Sequence, residues 1–304
     1  MTTATRLTAL PPSGEQWTLR SGDWEATVVG TGGGIRRLVR AGREVLAGYA
    51  EDGPVVGARG QLLLPWPNRI RDGAYDFDGQ HRQVPLTEAA RHNAIHGLTR
   101  WCSWHALERD ADRVVLGYRL PGQPGYPWTL DLRADYQLSA DGLSVTLSAG
   151  NRSTSAAPFA AGMHPYLAPR GGVDTARLTL PAATRQLVDA RLLPTRTEPV
   201  AGDYDFRGGR PVGAVVLDDA FTDLDRDADG TARCRLDDLE LWLGPGWRWV
   251  QVFTADTLDG RDRRASVAIE PMTSPPDAFN SGRDLVVLAP GETWTGRFGL
   301  TLAR

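Results

Sequence analysis

Five histidines in 304 residues make the surroundings of each one informative. His96 sits in NAIHGLTRW (93–101) and His164 in AAGMHPYLAP (161–169). An imidazole titrates near neutrality and can give or take a proton. A glycine beside it lets backbone approach closely or adopt positive φ, and Pro165 fixes the chain direction just after His164. Glu270 closes the apolar run VAI in VAIEPMTSPPDAFNSG (267–282), where Pro271, Pro275 and Pro276 follow. That pattern predicts a carboxylate at a strand end, ahead of a stiffened irregular loop, where it could serve as a positioned base. In LLLPWPNRIRDGAY (62–75), two prolines around Trp66 precede Asn68 and Arg69 on a rigid segment. The planar fork of an arginine suits vicinal hydroxyls or a carboxylate. Each string by itself fits a plainer role equally well: a turn histidine, a surface ion pair, a strand-end glutamate. His81 and His92, in polar turn-like stretches, read as surface residues, and His105 as a structural residue at a strand start.

Proton donors and acceptors this far apart in sequence need a large scaffold to bring them together. Period-two alternation and β-branched runs recur at WEATVVG (24–30), RVVLGYRL (113–120), WTLDLRADYQL (128–138), LSVTLSAGN (143–151), ARLTL (176–180), LELWLG (239–244), WVQVFT (249–254) and RASVAIE (264–270). Turn formers bound each one, which is the strand signature. Asp141–Gly142 reads as a hairpin turn, and TEAARH (87–92) as at most one short turn of helix. Many strands without alternating helices predict an all-β chain, a large antiparallel β sandwich. No linker or repeat divides it, so one domain over 1–304 is expected. DLDRDADG (223–230) lacks the closing glutamate of a calcium loop and reads as a solvated hairpin loop.

Hydrophobic residues at 41% and charged residues at 23% suit a soluble globular chain. A net charge of −3 is no footprint for nucleic acid, and no apolar stretch reaches the ~18 residues of a membrane helix. Cys102 and Cys234 stand in no CxxC or metal-ligand spacing and read as two thiols in a reducing compartment. The N-terminus has no apolar signal region, so a cytoplasmic location is expected. Ten tryptophans are many. Indole faces can stack on sugar rings or fill a sandwich core, and for most of them the core is expected.

In order along the chain, NRI (68–70), HG (96–97), HPY (164–166) and a strand-end Glu270 followed by Pro271–Met272 resemble the aldose 1-epimerase (galactose mutarotase) family. RDGAYDFDGQ (71–80), GYPWTLDLRADYQL (125–138), Asn151 and LDDAFTDL (217–224) extend the similarity from about Gly30 to the C-terminus. The resemblance implies a large antiparallel β sandwich with an open cleft on one sheet, and interconversion of α and β anomers of a free hexose such as glucose or galactose. It implies Glu270 as general base and His164 as general acid, placed at opposite sides of the O1–C1–O5 unit. It further implies His96 near the ring oxygen, and Arg69 and Asp218 on sugar hydroxyls, with Asn68 beside them. Asp218–Asp219 stands where the family usually has Asp-His, so either carboxylate could be the ligand, and HGLTRW replaces the common HGG. His164 should need only a modest upward shift of its pKa, from a neighbouring carboxylate, to act as acid.

No cofactor and no metal are expected: the chain has no GxGxxG, P-loop or HExxH string. The expected partner is a small-molecule aldose, with neither nucleic acid nor membrane, on a monomer or weak homodimer. A hexose-6-phosphate 1-epimerase would need added cations at the cleft. Arg71 and Arg100 are candidates, though each also reads as a surface residue. A sugar-binding module of the same fold would not need the Glu270–His164 pair.

Overall fold

The computed structural model describes residues 9–303. Two large antiparallel sheets dominate, and the runs of alternating polarity fall in them. The first, of nine strands, follows the order His105–Arg109, Arg113–Leu120, Leu130–Ser139, Gly142–Asn151, Thr293–Leu302, Leu239–Leu243, Ala232–Leu236, Arg177–Thr179 and Arg210–Pro211. Its strand Leu130–Ser139 buries every second residue, as a pleated ribbon with one covered face must.

The second sheet runs Pro194–Pro199, Ala182–Val188, Asp218–Leu224, Trp249–Phe253, Val267–Met272, Gly162–Met163 and Leu62–Leu63, with Tyr166–Leu167 also paired to Val267–Met272. A third sheet, Gln16–Ser21 to Arg43–Glu44, has four strands. Residues of all three, Trp17, Leu132 and Val252 among them, meet in one apolar core. The only α-helix among the described residues is the single turn Ala278–Ser281, and no helix there is long and apolar enough to cross a membrane.

Three local expectations change. The hairpin turn is Ala140–Asp141, because Gly142 already pairs with Ser139. The strand carrying Glu270 does not stop there but runs through Pro271 to Met272. Proline is tolerated because the Ile269 N–H points to the Pro165 carbonyl (3.3 Å). Residue 271, two further on, faces the same side, toward the end of Gly162–Met163, which bridges this strand through Gly162 and Met272. The ring nitrogen thus points away from Trp249–Phe253, and the ladder to that strand is kept. After the prolines the chain is not wholly irregular either. Phe279 packs edge-on against Trp66 (5.5 Å) and Tyr75 (5.0 Å) and anchors the helical turn.

Both cysteines are free, Cys234 buried and Cys102 partly so. Seven of the tryptophans are buried.

Candidate active site

A cavity of about 360 Å³ opens on the face of the second sheet turned away from the core. Along Val267–Met272, Val267 and Ile269 join the core, so Glu270 projects to the opposite side and lines the cavity. Register supplies its neighbours: Gln251 lies across from Glu270, and Phe253 across from Asp218. Gln251 Nε2 donates to Asp218 Oδ1 at 2.7 Å. Asp219, one residue on, turns to the other face and pairs with Arg185 at 3.0 Å. Of the two adjacent carboxylates, Asp218 is the one that lines the cavity.

His164 comes from the interruption between Gly162–Met163 and Tyr166–Leu167. Its N–H donates to the Gln61 carbonyl (3.1 Å) and its carbonyl accepts from the Gly60 N–H (2.8 Å), which fixes the backbone. Its Nε2 lies 3.2 Å from Glu270 Oε1. The two groups therefore stand side by side on one wall, rather than on opposite sides of a sugar. His164 stacks on Tyr166, with centroids 4.8 Å apart and planes 10° apart, and the Arg59 guanidinium lies 4.8 Å from the Tyr166 ring centre.

His96 meets His164 edge-on at 5.4 Å. It adopts φ +62° and is followed by Gly97, where a Cβ would come within 2.0 Å of the Leu64 carbonyl oxygen. Only glycine fits there. The Asn68 N–H donates to His96 Nδ1 at 3.2 Å, so Nδ1 is the acceptor and Nε2 carries the hydrogen of the neutral ring.

Arg69 is buried and forked onto Glu88, Nε to Oε2 and Nη2 to Oε1 both at 2.9 Å, with Nη1 donating to Asn68 Oδ1 at 3.2 Å. Asp277 clamps the strand around it: its N–H donates to the Arg69 carbonyl (2.7 Å) and its Oδ1 accepts from the Arg71 N–H (2.9 Å). Arg71 itself is half-exposed beside Asp277.

All six residues singled out from the sequence (Glu270, His164, Arg69, His96, Asp218 and Asn68) thus line one cavity. Arg100, considered from the sequence as a cation for a phosphorylated sugar or a surface residue, lines it too, as do Glu88, Trp101 and Tyr166, which were not singled out as sugar ligands. Trp101, 66% exposed, is the indole at the cavity that composition alone could not pick from ten. Glu88 sits in TEAARH, and nothing local marks it as the partner of Arg69, nineteen residues away.

Burial sets the electrostatics. It pushes the Glu270 carboxyl well above the usual range, with Asp218 adding to the rise and Arg69 opposing it. Burial lowers His164 to about 3, helped by the charges of Arg100 and Arg59. His96 is held well below 6.5 by burial first and by His164, Arg100 and Arg69 after it. The upward shift expected for His164 is therefore reversed. Burial keeps water from both partners, and the nearby cations disfavour a charged imidazole, so the site favours a neutral imidazole next to a protonated carboxyl. Glu88 is the contrast: burial pushes it up, but the hydrogen bonds and charge of Arg69 outweigh that and leave it lowered.

Residues 15–301 match the family described as aldose 1-epimerase, and the chain belongs to that family. It is 35% identical over 290 residues to the uncharacterised protein YihR of Escherichia coli K12, covering 94% of this chain and 93% of that one. Among solved structures, an aldose epimerase homologue from C. elegans superposes with a TM-score of 0.84 at 18% identity, covering 95% of this chain and 99% of the other. A galactose 1-epimerase from Lactobacillus acidophilus gives 0.80 at 20% identity, covering 95% of each. At these identities the structures speak for the fold, a galactose mutarotase-like antiparallel β architecture.

Proposed function

We propose that the chain is an aldose 1-epimerase acting by acid–base opening of the hemiacetal, with glucose and galactose the first sugars to test. The observation that carries this reading is the 3.2 Å contact between His164 Nε2 and Glu270 Oε1 on the wall of a cavity that Arg69, His96, Asp218 and Asn68 also line. Anomerisation must take the proton from the C1 hydroxyl and give one to the ring oxygen. Those two oxygens share one carbon, so adjacent acid and base groups reach both.

Glu270 takes the O1 proton, while His164 gives its Nε2 proton to the ring oxygen. The open aldehyde then faces a protonated carboxyl and a neutral imidazole, the arrangement that burial favours. Rotation about C1–C2 and the reverse transfers close the other anomer. The ion pair and the neutral pair hold the same number of protons, so they interconvert across the 3.2 Å contact without solvent. Each positioned transfer is worth about 10² to 10⁴ in rate.

His96 Nε2–H donates beside the ring oxygen, and Arg69 and Asp218 hold ring hydroxyls. Glu88 is a positioning residue acting through Arg69. Glu88→Gln breaks a charge-assisted fork and is expected to raise KM about tenfold with a smaller change in kcat. Steady-state polarimetry separates the two, and an unchanged KM would remove Glu88 from this role.

The direct test is polarimetric mutarotation of α-glucose and α-galactose, corrected for the spontaneous rate. The pair works with one shared proton. It loses that state on the acid side only when His164 takes a second proton, near 3, and on the alkaline side when the raised Glu270 ionises. The profile of kcat/KM is therefore expected to be flat through pH 6.5, with no inflection at the ordinary histidine value, and to fall on its alkaline side where the raised Glu270 ionises, with values belonging to the pair. No acceleration of any aldose would end the proposal. An inflection at the ordinary histidine value would overturn the protonation scheme.

A further inference from the structure

The cavity holds more positive charge than its own residues neutralise. Three guanidiniums line it, from Arg69, Arg91 and Arg100. Glu88 is paired with both Arg69 (2.9 Å) and Arg91 (3.2 Å), and Asp218, bonded to the neutral Gln251 amide, is the second anion against the three cations. Glu270 adds no net charge, because with His164 it forms either a neutral pair or an ion pair. Arg100 is left over. Among the described residues it has no carboxylate partner; its contacts are a long hydrogen bond from Nη2 to the Ile95 carbonyl (3.4 Å) and the neighbouring Trp101 ring, 5.6 Å away. It is also only partly exposed, and that burial lowers its pKa. A guanidinium stays charged even so, and a desolvated unpaired cation is costly unless a partner arrives.

Resting on the epimerase reading above, we infer that the natural substrate is an aldose bearing an anionic group on its exocyclic carbon, and that Arg100 receives this charge. The position follows from the site. Arg100 lines the same cavity as His96 and His164, with its charge acting on both rings, and in the proposed mechanism these histidines meet the ring oxygen. The exocyclic carbon of a pyranose is borne by the carbon next to that oxygen. A forked guanidinium recognises phosphate, sulfate, sulfonate or carboxylate alike. Arg71, the other cation considered from the sequence, is paired with Asp277 (3.5 Å) and is not among the lining residues.

The test compares kcat/KM for glucose with that for glucose 6-phosphate, 6-deoxy-6-sulfoglucose and glucuronic acid, which also identifies the anion. At least one anionic sugar is expected to exceed glucose about tenfold or more, and Arg100→Gln to bring that ratio close to one. Should the variant fail to fold, added salt is expected to raise the wild-type KM for the anionic sugar while leaving that for glucose unchanged. Equal kcat/KM for charged and neutral sugars, a ratio that survives Arg100→Gln, or a KM for the anionic sugar indifferent to salt would overturn the inference and leave the epimerase reading standing. Calorimetric binding of an anionic sugar, lost in Arg100→Gln, without any mutarotation would do the opposite.

Discussion

Glu270→Gln is expected to slow catalysed mutarotation by at least about a hundredfold and, at the same time, to raise the melting temperature. The amide keeps the shape of the side chain and can still reach His164, but it cannot take the O1 proton. The stability change follows from the raised pKa. A carboxyl that holds its proton more tightly folded than unfolded contributes full stability below its unfolded value near 4.5. That contribution is lost as pH rises toward the folded value. At pH 7 to 8 the wild type has lost part or all of it, whereas glutamine does not titrate. A gain on the order of a few degrees is expected at pH 7.5, shrinking toward pH 5. Calorimetric scans at both pH values beside polarimetry check the two halves together. A variant that is stable and retains normal rates would displace Glu270 from the chemistry.

His164→Asn is expected to cost at least about a hundredfold as well, with the protein still folded. It removes the group that delivers a proton to the ring oxygen, and also the ring stacked on Tyr166, so circular dichroism must accompany the rate measurement. Groups that act as one unit lose their effect together. The double variant Glu270→Gln/His164→Asn should therefore be about as slow as either single variant, not ten thousandfold down. Multiplying losses would mean that the two residues serve separate steps, contrary to their 3.2 Å contact.

The strands and the all-β architecture were legible because alternation is a local property, written into each segment such as Leu130–Ser139. The candidate site was legible through strings that constrain backbone, His96–Gly97 and His164–Pro165 above all. What stayed hidden depends on partners distant in sequence. Asp218 and Asp219 are neighbours, so only the register against Trp249–Phe253 decides which of them meets the cavity. Glu88 as the anchor of Arg69 is a tertiary pairing with no local mark. The direction of the His164 shift was misjudged for a related reason. A nearby carboxylate argues for a rise, but burial and the approach of Arg59 and Arg100 exist only in the folded chain.

Pro271 has a consequence for folding accuracy. A slip of Val267–Met272 by one residue would turn Glu270 into the apolar core, since each such shift exchanges the two faces. It would also bring the ring nitrogen of Pro271 round to the strand Trp249–Phe253, where a donor is required. The misaligned sheet would bury a lone carboxyl and forfeit a ladder bond together. The residue following the carboxylate thus acts as a key that lets the strand seat in one alignment only.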